Sequence, residues 1–176
     1  MDRSSQLERF ASPPVVARGF VWFELDPDGG TVRSGAQTWR PGANEARCHL
    51  YPRFLWRRWR ALHPSGVPGA SCRCGFGATF RPEPAGLLDR VDPATSSGSG
   101  RQVVGVVHGW GRVVTEDRGW RSAYALVAAF HAAPAALEDA DAVRRLDMAA
   151  RLYGVPLIRD YNDLVRLGHP SSLPAA

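Results

Sequence analysis

Four residues stand out for the chemistry they can do together: Cys48, His63, Cys72 and Cys74, in the spacing C-x14-H-x8-C-x-C. They include every cysteine of the chain. Thiolate sulfur and imidazole nitrogen are soft or borderline donors, and four of them complete the tetrahedral shell that zinc takes in structural sites. Such a shell leaves no position for water, so a metal bound by all four would be structural and not catalytic. The single residue between Cys72 and Cys74 departs from the two or more common in zinc knuckles. Side chains so spaced point the same way on a strand, which suits chelation and equally suits plain burial. The other readings are buried, reduced cysteines, an iron–sulfur cluster, or a redox thiol pair. A Cys72–Cys74 disulfide would strain so short a loop.

No other motif names a reaction. The chain holds no nucleophile elbow, zinc-protease helix or EF-hand loop. Zinc deaminases also use one histidine and two cysteines, but they require H-x-E with P-C-x-x-C; here His63 is followed by Pro-Ser and the cysteines run C-x-C. Gly105, Gly109 and Gly111 run G-x-x-x-G-x-G, which matches neither the dinucleotide fingerprint nor the P-loop. A thiol-dependent enzyme with Cys72 or Cys74 as nucleophile, assisted by His63 or His108, is the one catalytic alternative. His108 standing alone reads as a packed or surface histidine.

Several elements must position the four ligands. Pro52 suits the first turn of a helix and Pro64 ends it just after His63, so a helix over 52–63 delivers His63 to the cysteine loop. Leu55, Trp59 and Leu62 form one stripe of it; Arg53, Arg57 and Arg60 form another, with Trp56 at its margin. The plain reading is a solvated face over core tryptophans. The functional reading is a surface for an acidic protein or for nucleic-acid phosphates. Pro64, Gly66, Pro68, Gly69 and Gly75 make the cysteine segment loop-like, and Gly75 can take the positive φ of a turn around an ion.

Around this loop the pattern is α+β. VVARGFVWFELDPDGGTVRSG reads as a β-hairpin whose first strand is buried on most of both sides. GFGATF is a short strand. QVVGVVHGWGRVV and WRSAYALVAAF, joined by TEDRG, form the strongest hairpin. Its first arm carries a glycine stripe, the mark of bulges or of another backbone close by. Trp110 and Tyr124 fall on its paired arms. A helix over 136–153 shows an apolar face and a Gly154 stop, followed by the short strand VPLI and the short helix DYNDLVRL. The expected fold is therefore β-hairpins in a mixed or barrel-like sheet, with two or three packed helices and a metal-binding loop. Residues 1–14 read as a lead-in, 15–167 as one domain with a mobile loop near 92–101, and 168–176 as a loose tail.

The 176 residues suffice for one sizeable core. A net charge of +5 allows a polyanionic partner without requiring one. All 22 basic residues are arginine, which points to a high-GC genome or to selection against lysine. The N-terminus has no apolar leader, no run has membrane-span length, and three cysteines do not pair, so the expectation is a cytoplasmic protein with reduced thiols and no membrane. The order W-x-P-G, A-x-C, H-P, C-x-C-G, G-W-G-x-V and G-W-R, over about residues 19–158, resembles small uncharacterised proteins of high-GC bacteria with no assigned activity. The Val103–Phe130 strand pair is similar to that of small PUA-like barrels, which would imply RNA or modified bases as ligands. The reading that results is a non-catalytic, zinc-stabilised interaction or regulatory module, with an RNA- or DNA-binding domain and a thiol enzyme as alternatives.

Overall fold

A computed structural model describes residues 17–26, 31–35, 37–48, 60, 62–82, 102–132 and 139–169. Among them run eight strands and two helices: β1 Ala17–Leu25, β2 Val32–Ser34, β3 Gln37–Trp39, β4 Asn44–Glu45, β5 Phe76–Thr79, β6 Gln102–Glu116, β7 Gly119–His131, α1 Ala140–Tyr153, β8 Leu157–Ile158 and α2 Tyr161–Gly168. The lead-in, the 92–101 loop, residues 170–176 and most of the arginine helix lie outside the described residues.

The long hairpin is the centre. β6 and β7 pair antiparallel from Val104↔His131 to Glu116↔Gly119, leaving only Asp117 and Arg118 as the connection, a tighter turn than TEDRG implies. β1 lies against the outer edge of β6 from Ala17↔Gly109 to Glu24↔Gln102. β5 bridges β1 at Phe20↔Thr79 and runs beside the start of β7. β2 and β3 extend the sheet beyond β1, β4 pairs with β7, and β8 joins β7 as its one parallel neighbour. The sheet is thus mixed and mostly antiparallel. The barrel-like alternative does not hold. β1, β6, β7 and β5 meet in a circuit, but the sheet continues past them to β3, β4 and β8, whose outer edges are open among the described residues, and only full closure removes edges. The Val103–Phe130 strand pair that carried the likeness to PUA-like barrels is present as β6 and β7, without the closed barrel.

The glycine stripe of β6 is covered mainly by rings, with the Ala129 carbonyl oxygen also 3.0 Å from a Cβ placed on Gly105. A Cβ on Gly105 would meet the Phe23 ring at 2.6 Å, one on Gly109 the Trp120 ring at 2.3 Å, and one on Gly111 the Tyr124 ring at 2.8 Å. Gly111 also has φ +75 and sits at the register shift between Trp110 and Val113, so a bulge is present as well. Trp120, fully buried, donates from Nε1 to the Arg18 carbonyl at 2.8 Å.

The main core joins Phe23, Trp39, Phe76, Phe130 and Tyr153 by edge-on ring contacts, with centroids 4.6–5.9 Å apart. α1 closes it with Ala142, Leu146, Ala149, Ala150 and Tyr153. Its start is fixed by Asp139, whose carboxylate accepts from the Asp141 and Ala142 amides, and its end by Gly154 at φ 65. Tyr153 Oη donates to the Trp39 carbonyl at 2.6 Å and accepts from the Val32 amide at 3.1 Å, tying helix to sheet; burial pushes its pKa up. α2 covers a second cluster of Phe20, Val104, Val106, Ala129 and Leu164. The double-sided burial expected of β1 holds only for its first half, since Trp22 and Glu24 are exposed. Among the described residues, no helix is long and apolar enough to cross a membrane.

Candidate metal centre

The ligand candidates come from three places. Cys48 follows β4, His63 follows the helical residues Arg60 and Leu62, and Cys72 and Cys74 precede β5. Between His63 and Cys72 the chain turns back, with the Gly66 amide donating to the His63 carbonyl at 3.1 Å and the Cys72 amide to that of Gly69 at 3.2 Å. Gly69 passes so close to the helix end that a Cβ there would stand 2.0 Å from the Leu62 carbonyl oxygen. Gly75, at φ +108, makes the turn into β5 as its position after Cys74 suggests.

The ligand atoms of Cys48, His63, Cys72 and Cys74 all lie within 4.8 Å of one another, close enough to hold a metal ion. Cys48 Sγ and Cys72 Sγ are 3.7 Å apart. Two thiolates on one tetrahedral zinc, each at about 2.3 Å, would be about 3.8 Å apart. His63 Nε2 stands 3.0 Å from Cys74 Sγ, a hydrogen-bond contact inside the roughly 3.5 Å edge of a filled tetrahedron. His63, Cys72 and Cys74 are buried and Cys48 is half-buried. All three cysteines are free. Burial above all pushes the Cys74 thiol up to about 11; a backbone hydrogen bond at Gly69 opposes this, while the neighbouring Cys72 and Cys48 add to it. Sulfurs crowded in this way are what a bound cation relieves.

The sheet holds this loop by side chains that sequence reasoning did not single out. Arg121 of β7 donates from Nη1 to the carbonyls of Gly69 (3.3 Å), Cys72 and Cys74 (2.8 Å), and from Nε to Glu116 Oε1 at 2.5 Å. Arg112 Nε reaches the Pro68 carbonyl at 2.8 Å, and Gln37 Nε2 the Gly75 carbonyl at 2.9 Å. The available signal was Arg121 itself, a charge within the apolar run WRSAYALVAAF, since a buried charge must have partners.

The other candidates are placed less fully. Arg60 is exposed at the helix end, while Arg53, Trp56 and Arg57 lie outside the described residues. His108 is not part of the four-ligand group; its pKa is lowered by burial and then by Arg18, and its Nε2 is buried without a hydrogen-bond partner among the described residues. No family model, no curated protein and no solved structure matches this chain, so the reading of the centre rests on its own geometry.

Proposed function

We propose that the chain is a non-catalytic interaction or regulatory module built around a zinc ion held by Cys48, His63, Cys72 and Cys74. The convergence of four ligand atoms within 4.8 Å carries this reading. Three sulfurs and one imidazole nitrogen favour zinc over the hard cations, which take oxygen ligands. So tight a group closes on a single ion, which makes a multi-iron cluster the poorer fit. With four protein ligands a tetrahedral ion has no open position, and the function then lies in what the stabilised surface binds.

For that surface we take Arg53, Trp56, Arg57 and Arg60, which the sequence pattern alone puts on one helix face before His63, with an acidic protein surface as the partner and nucleic acid as the alternative. Arg60 is exposed three positions before a ligand, which supports a link between metal and surface. Elemental analysis of protein purified without added metal tests the centre: about one equivalent of zinc is expected. Metal-free protein that is folded and loses no stability with chelator would overturn the reading.

A further inference from the structure

Among the described residues Arg121 is the only arginine that is buried. Its Nη1 donates to three carbonyls of the ligand loop, two of them belonging to Cys72 and Cys74 themselves. The guanidinium therefore grips the backbone from which two of the candidate sulfurs hang. Its Nε is aimed by Glu116, whose side chain is about half exposed. The Glu116 charge is accordingly screened by water in a way the Arg121 charge is not.

Charge gives a second reason for an arginine here. A divalent ion on three thiolates and a neutral imidazole leaves one surplus negative charge, and burying such a charge is costly unless a cation lies near. Three carbonyl oxygens directed at one nitrogen also need a donor that does not lose its proton, which guanidinium is.

We propose that Arg121 is a positioning residue for the metal centre: it preorganises the Cys72–Cys74 arm through its carbonyl contacts and supplies the positive charge that offsets the filled site. This rests on the zinc reading above. It assigns to a strand residue outside the ligand motif the task of setting how tightly metal is held, as hydrogen-bonded partners beyond the ligands do in other metal sites.

The test is zinc affinity of the full chain by chelator competition, with the absorption spectrum of the cobalt-substituted protein as a second readout. Arg121→Gln removes charge and fork together and is expected to weaken zinc binding about 10- to 100-fold and to shift the cobalt spectrum. Arg121→Lys keeps the charge and should fall between this variant and the wild type. Wild-type affinity in both Arg121 variants would overturn the proposal, and equal losses in both would overturn its charge component. Where Arg121→Gln does not fold, Arg121→Lys decides: a several-fold loss supports the proposal and an unchanged affinity overturns it. A wild-type protein that binds no zinc would sink the metal reading itself, and this one with it.

Discussion

The four candidate ligands are unequal, because Cys48 is half-buried and the other three are buried. In chelated protein, thiol alkylation should therefore begin at Cys48, with Cys74 last, its thiol being pushed up to about 11 chiefly by burial. Bound metal should protect all three. Mass spectrometry of partly modified protein checks the order, and early modification of Cys74 would contradict it. His108 carries a separate prediction. Burial, and then Arg18, lowers its pKa from 6.5, so the unfolded chain takes up protons more readily than the folded one. Its contribution to stability is present above about pH 6.5 and is lost as pH falls below that value. Between pH 7.5 and 5 the urea midpoint should fall more for wild type than for His108→Gln, a difference that removes effects common to both; parallel curves would contradict it. At this scale the convergence of the four candidate ligands was legible because residue type and spacing announce donor chemistry. Arg121 was not, because its partners on the loop are backbone carbonyls, which leave no trace in sequence.

The strands and helices show where pattern suffices. α1 was legible down to its Gly154 stop because caps and apolar periodicity are local. Its start at Ala140, and not at Ala136, follows from the Asp139 cap. The glycines of β6 were legible as sites of close approach, but sequence could not say what approaches, since the Phe23 and Trp120 rings come from other strands. Those rings make a contrast measurable. Gly109→Ala should destabilise by about 1–3 kcal/mol or more, as overpacking does. Gly77→Ala, where a Cβ meets nothing nearer than 3.7 Å, should be neutral or gain about 0.5–1 kcal/mol. Denaturant unfolding of the two variants reads this directly, and a similar cost for both would refute the packing account. Trp110 is buried and stacked on Tyr124 with centroids 5.9 Å apart. Replacing it with alanine should cost about 3–5 kcal/mol; a fully stable variant would show that the stack contributes nothing to the core.

For the whole molecule, the candidate metal centre lies between β4 and β5, where Arg121, Arg112 and Gln37 tie the loop to the sheet. Chelation should lower the melting temperature and raise hydrogen exchange over 62–75 while the β6–β7 ladder keeps its protection. Uniform loss of protection would mean that the ion supports the entire fold. If the arginine face meets nucleic acid, affinity should fall steeply with salt, and each arginine removed should reduce the slope by roughly one unit. If it meets an acidic protein, nucleic-acid binding stays weak while alanine at Arg53, Arg57 and Arg60 abolishes capture of the partner. The mixed sheet was less legible than its strands, since β1 pairs with β6 across a gap that no local pattern spans. That separation bears on the order in which the molecule assembles. Phe23 must find Val103 across roughly 80 positions, whereas Cys48 and Cys74 are separated by only about 26. Closing the shorter loop is cheaper by about 1 kcal/mol of chain entropy. If zinc is bound as proposed, it would clip its segment before the long-range strands meet, and refolding begun with zinc present should outpace refolding begun in chelator.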